Sequence, residues 1–130
     1  MKLSCNIHYH IKNNICVDTG KIITSDLPLY TEYIYSCSVL AFEYVTNNKK
    51  KYYMAHVDMS NANMEQDLIY TLEPINLNEI DILHIWTGEM CNDNCNSFNM
   101  IIRVLDNFKI DMNKIKYHTI KWNEEATIPL

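Results

Sequence analysis

The chain has 130 residues, a length that suits one domain spanning 1–130 with its own apolar core. Apolar residues make up 48% of it, against two glycines and three prolines, which excludes a disordered or low-complexity polymer. The net charge is -5, and the eleven basic residues are scattered apart from Lys49, Lys50 and Lys51; a phosphate backbone needs a broader basic face, so no nucleic-acid partner is expected.

Leu3, Cys5, Ile7, Tyr9 and Ile11 alternate with polar residues, which predicts a half-buried strand. His8 and His10 fall on one face of it, exposed or able to bind a metal. Ser4, Asn6, His8 and His10 also interrupt any apolar leader, and no run approaches the ~20 apolar residues of a membrane helix, so no membrane partner is expected. Asn13-Asn14 turns the chain, and residues 15–23 predict a second strand pair around Asp18-Thr19-Gly20, with Gly20 supplying the turn. Residues 25–28 read as a loop.

Residues 39–45 and 52–57 are apolar and rich in strand formers, with 46–51 as the hairpin connection and the lysine triplet as its solvated tip. Met64, Leu68, Ile69 and Leu72 sit at helical spacing, with Asn63 as N-cap and Pro74 as terminator. A strand over 80–86 stops at Gly88. Phe98, Ile101, Ile102, Leu105 and Phe108 mark an amphipathic helix, and residues 115–122 alternate again as a last strand. Trp86 and Trp122 are expected in the core. The order predicts an α+β domain, a largely antiparallel sheet or sandwich with two packed helices.

Five cysteines, Cys5, Cys16, Cys37, Cys91 and Cys95, leave at least one unpaired, and a reducing cytosol or nucleus is the simplest compartment. Cys91 and Cys95 have a C-x3-C spacing, but no second Cys/His pair at ligand spacing follows and His118 is isolated, so a surface loop without metal is expected. Asn92-Asp93-Asn94 lacks the glycine and distant glutamate of a calcium loop. No metal and no cofactor are expected.

Cys37 lies where a loop enters the first hairpin strand, and His56 lies at the end of the return strand. Antiparallel pairing therefore sets them side by side. A thiol beside an imidazole is the pattern of a nucleophile with its base, and it predicts a lowered thiol pKa; the alternative is a buried cysteine near a core histidine. Asp58, two residues beyond His56, either binds a substrate ammonium or shapes the turn before Met59 and Ser60. Tyr30, Tyr33 and Tyr35 either line the approach to Cys37 or pack.

The segment Thr31-Glu-Tyr-Ile-Tyr-Ser-Cys37, followed by Ala55-His56, resembles the bacterial chemoreceptor glutamine deamidases (the CheD family). The same Cys–His arrangement resembles the cytotoxic necrotizing factor toxins and the protein N-terminal asparagine amidohydrolases. Residues 82–88, with Gly88, and Asn96-Ser97-Phe98-Asn99 are similar to the strand, glycine turn and helix start downstream in these families, so the likeness covers about residues 30 to 122. The chain departs from the pattern at Ile34-Tyr35, where a glycine-rich approach is usual, and at Thr87-Gly88, where a glycine pair is usual. His56-Val57-Asp58 is closer to the asparagine amidohydrolases.

The resemblance implies a CheD-like fold and a cysteine amidohydrolase that deamidates a side-chain carboxamide of a protein or peptide, N-terminal Asn foremost and internal Gln as the alternative. A silent domain offering a tyrosine-rich surface to a protein partner is the rival of a different class. Cys37 would be the nucleophile, His56 its base, and Thr31 the group orienting the imidazole, with Asp58, Ser36 and Tyr35 contacting substrate.

Overall fold

The computed structural model describes Cys5 and residues 14–91 and 95–130. The strand expected over 3–11, with His8 and His10, and the 92–94 segment lie outside the described residues. Among the described residues eight strands and two α-helices follow in the order β1 Ile15–Cys16, β2 Ile22–Ser25, β3 Leu29–Thr31, β4 Ser38–Thr46, β5 Lys49–Val57, α1 Met64–Leu72, β6 Leu83–Gly88, α2 Asn96–Asn107, β7 Ile115–Ile120 and β8 Ala126–Ile128. The class is α+β, with a core dominated by its sheets.

The main sheet has the order β2-β5-β4-β6-β7; its pairs are antiparallel except for β6 with β7. The β4–β5 hairpin is its spine. Asn47 and Asn48, both at positive φ (52° and 63°), turn it in two residues, a conformation asparagine tolerates. The connection is therefore shorter than the sequence suggests, and Lys49–Lys51 belong to β5, where Lys50 meets Glu43 and Lys51 meets Asp26.

Alternation along the hairpin feeds two cores on opposite faces of this sheet. Leu40, Phe42, Tyr53, Ala55 and Val57 pack with α1 (Met64, Leu68, Leu72) and α2 (Met100, Ile101, Val104, Leu105). Val39, Ala41 and Met54 point the other way and pack with Leu29, Ala126 and Ile128 of a three-stranded sheet, β1-β3-β8. The molecule is thus layered as helices, large sheet and small sheet. In α1 the Asn63 side chain makes no cap hydrogen bond; the Asn61 side chain instead accepts from the Asn63 N–H, and the helix stops before Pro74 as expected.

Several expectations need correction. β1 and β2 both form and Gly20 turns between them at φ 78°, but they enter different sheets: β1 pairs with β3, and β2 with β5. The short loop expected around 25–28 forms between β2 and β3, and it is followed by a strand that the sequence did not indicate, β3, which carries Thr31. Trp86 is buried, whereas Trp122 is 46% exposed. His118 is not isolated, since its Nε2 is 2.9 Å from His84 Nδ1 and its ring stacks on Trp86. Cys95 is buried and disulfide-bonded to Cys91, Cys5 is bonded to Cys16, and Cys37 is the free thiol. Among the described residues no helix is long and apolar enough to cross a membrane.

Candidate active site

Register places the central pair. Val39 faces His56 and Ser38 faces Val57, so Cys37 falls opposite Asp58 and diagonal to His56. Cys37, Val39 and His56 lie on the side of the small sheet, and Cys37 packs against that core. Diagonal neighbours in an antiparallel pair sit about 7–8 Å apart at Cα, within reach of an imidazole. The His56 main chain is fixed from the turn before β2: its N–H donates to Lys21 O at 3.0 Å, and its carbonyl accepts from Gly20 N–H at 2.8 Å.

Thr31 reaches this pair from the small sheet. Its Oγ1 is 2.8 Å from His56 Nδ1 and 2.6 Å from the Val17 carbonyl, and all these groups are buried. A hydroxyl has one hydrogen, and a carbonyl only accepts. Thr31 must therefore donate to Val17, and can only accept from His56. The proton of the neutral ring is thereby placed on Nδ1, and Nε2 is the basic nitrogen. Thr31 and His56 therefore touch, and the β4–β5 register sets the backbone of Cys37 diagonal to His56.

The loop bearing Cys37 is pinned from behind. A Cβ on Gly88 would fall inside the backbone of Tyr35 and Ile34, so only glycine lets the loop lie against the end of β6. Gly88 N–H then donates to Cys37 O at 3.3 Å, and Met90 N–H to Tyr35 O at 3.1 Å. Ser97, buried in the first turn of α2, donates to the Ser36 carbonyl at 3.1 Å and accepts from Ser38 Oγ at 3.0 Å. The Cys91–Cys95 disulfide sits against the same serines, with Cys91 Sγ 3.3 Å from Ser38 Oγ. Tyr33, in the left-handed region at φ 57°, swings the chain from β3 into this loop. Sequence reading missed Ser97 as an anchor; its place beside the Asn96 helix start was the available signal.

The remaining expected residues divide. Both Asp58 carboxylate oxygens accept from Ser60, from its N–H at 3.1 Å and its hydroxyl at 2.9 Å, so Asp58 shapes the turn while its charge stays beside Cys37 and His56. Ser36 is exposed and is anchored through its carbonyl. Tyr35 is 42% exposed, with its ring parallel to that of Trp122. Glu32 beside Thr31 is raised by burial and then by Glu125, and Glu89 accepts from the Trp122 N–H.

The electrostatics run against the lowered thiol. Burial, then the Asp58 carboxylate, push Cys37 up to about 12. Burial lowers His56 to about 4, with Asp58 opposing it. Pairing residue types predicted a thiolate; desolvation outweighs that tendency, and the resting pair is a thiol beside a neutral imidazole. A concavity of about 680 Å³ is lined by Glu43, Glu79, Asp81 and His84 at the far end of β4, away from Cys37 and His56. The small sheet covers His56, and approach is at the half-buried Cys37. No group of three or more His, Cys, Asp or Glu able to hold a metal occurs among the described residues.

No family model matches this chain, and no curated protein matches it at a level that would establish kinship.

Proposed function

We propose that this protein is a cysteine amidohydrolase that deamidates an Asn or Gln carboxamide in a protein or peptide, N-terminal Asn first among them. The observation that carries the reading is the Thr31 hydroxyl, which is committed to Val17 O and so fixes the His56 tautomer with its basic nitrogen left to serve a nucleophile. An orienting group of this kind is the third member of a nucleophile–base–orienter set.

In the reaction, His56 Nε2 takes the Cys37 proton as Sγ attacks the carboxamide carbon, and the main-chain N–H of Cys37 is offered to the oxyanion. The imidazolium then protonates the departing nitrogen, ammonia leaves, and a thioester remains. Water, deprotonated by His56, attacks the thioester; the acid product leaves and the proton returns to Sγ. The resting thiol makes the first proton transfer concerted with attack. The Asp58 charge beside Cys37 and His56 would attract a substrate α-ammonium, which supports a chain N-terminus over an internal Gln.

A nucleophilic thiol suits a reducing cytosol or nucleus. Peptides beginning with Asn should release ammonia, and Cys37→Ser should abolish the release. Acetylating the peptide N-terminus should cost about tenfold, ~1.4 kcal/mol; equal reaction of acetylated peptides would move the reading to internal Gln. The raised thiol favours the rival reading of a silent binding domain, and no ammonia from any peptide with Cys37 reduced would establish that rival.

A further inference from the structure

We propose that Tyr35 and Trp122 form an aromatic subsite that binds an aromatic or long apolar side chain one or two residues from the reacting carboxamide; this rests on the deamidase reading above. The two rings are parallel, 4° between planes, with centroids 6.4 Å apart. They come from distant parts of the chain, yet both stay exposed, 42% and 46%. A folding core would have covered such surfaces, and exposed Tyr and Trp are the side chains enriched where proteins bind one another.

The main chains that carry the two rings are both tied to the same short stretch at and after the end of β6. Tyr35 O accepts from Met90 N–H at 3.1 Å, and its backbone lies against Gly88. The Trp122 N–H donates to the Glu89 carboxylate at 3.1 Å. The turn bearing Trp122 is closed by Lys121 N–H to Glu124 Oε1 at 2.7 Å and Glu124 N–H to Lys121 O at 3.0 Å. The pair is thus preorganised, which lowers the ordering cost of binding. Met90, 69% exposed, extends the apolar surface beside it.

Distance identifies the occupant. Tyr35 is two residues before Cys37, so their Cα atoms are at most about 7 Å apart. A substrate residue one or two positions from the carboxamide spans the same about 3.5–7 Å along an extended peptide. A side chain there reaches the rings while the carboxamide reaches Sγ. Planar rings take an aromatic partner by stacking and a long aliphatic one by contact.

The test uses the full chain with Cys37→Ser, so that peptides bind without turnover, and peptides Asn-Phe-Gly-Gly, Asn-Gly-Phe-Gly and Asn-Gly-Gly-Gly. Trp86 is buried, so acrylamide quenching of tryptophan fluorescence reports Trp122. One of the phenylalanine peptides should bind about tenfold more tightly than the glycine peptide and shield Trp122 from quencher. Calorimetry on Trp122→Leu and Tyr35→Leu should show that preference collapse, and Tyr35→Phe, which keeps the ring, should restore it. In the active protein the same substitutions should raise KM for the preferred peptide with little change in kcat. Equal affinities for all three peptides, or a preference that survives Trp122→Leu, would overturn the subsite. Ammonia release with no phenylalanine preference would overturn the subsite alone. Shielding without ammonia from any peptide would overturn the deamidase reading alone.

Discussion

The burial of His56 has a consequence for stability that separates it from the other histidines. Its side chain is fully buried and its pKa is lowered to about 4, by desolvation first, with Asp58 acting weakly the other way. An unfolded histidine titrates near 6.5. Between those values the unfolded chain binds a proton that the folded one refuses. Stability is therefore whole above about pH 6.5 and is lost as pH falls toward 4. A displacement from 6.5 to about 4, at ~1.4 kcal/mol per pH unit, is about 3 kcal/mol. His84 and His118 are also lowered, chiefly by burial, and add in the same direction, so the wild type alone does not isolate the effect. His56→Asn keeps an amide N–H near the Nδ1 position to meet Thr31 and removes the titration. Urea unfolding at pH 7.5 and pH 4 should show the wild type losing about 3 kcal/mol more than His56→Asn. Equal losses in the two proteins would refute the buried neutral imidazole.

Thr31→Val removes one hydroxyl but strands two buried groups, the Val17 carbonyl and His56 Nδ1–H. It should cost about 1–3 kcal/mol by denaturant titration, and nitrogen NMR of the ring should show the Nδ1–H tautomer no longer dominant. Cys37 should alkylate slowly at pH 7, with a rate that keeps climbing beyond pH 9, and Asp58→Asn should accelerate it because the neighbouring anion is gone. Fast alkylation of the wild type near neutral pH would contradict the raised thiol. Gly88→Ala should lower Tm by several degrees and disorder the Cys37 loop, visible as faster proteolysis there, because the added carbon meets main chain that has nowhere to move.

The hairpin and the adjacency of Cys37 and His56 were readable because register follows from a long apolar pair of strands and one tight turn. The residues on β4 that face the two cores alternate strictly, and that alternation alone puts Cys37, Val39 and His56 on one side. Both helices were legible from their spacing. The small sheet was not. Leu29–Thr31 and Ala126–Ile128 are three residues each, too short for periodicity to register, and their stability comes from partners distant in sequence. The resemblance named Thr31 as the orienting group, but the strand that carries it onto the imidazole was not legible. Residues 15–23 carry a genuine hairpin turn signal at Gly20, yet tertiary pairing separates the two strands. Trp122 was assigned to the core on residue type; its backbone is instead drawn out by Glu89. The direction of the thiol shift was also beyond the sequence, because it depends on how much water the small sheet removes.

The raised thiol and the proposed chemistry are compatible only under one condition. Moving the Cys37 proton to His56 in the resting site would put an anion on a desolvated sulfur beside the Asp58 carboxylate and a cation on a fully buried ring. Attraction between the two new charges is about 4 kcal/mol at 4 Å with an effective dielectric near 20, too little to offset both displacements at ~1.4 kcal/mol per pH unit. In the proposed reaction, then, the proton leaves sulfur only as the carbon–sulfur bond forms. A substrate ammonium at Asp58 changes the balance, since it cancels the one anion that opposes ionisation of Cys37. The carboxamide carbon then accepts the sulfur electrons as the proton moves, so no isolated thiolate has to form. On the proposed function, such a site would select by charge before it selects by shape. An N-terminal Asn brings the cancelling cation with it, and an internal Gln does not.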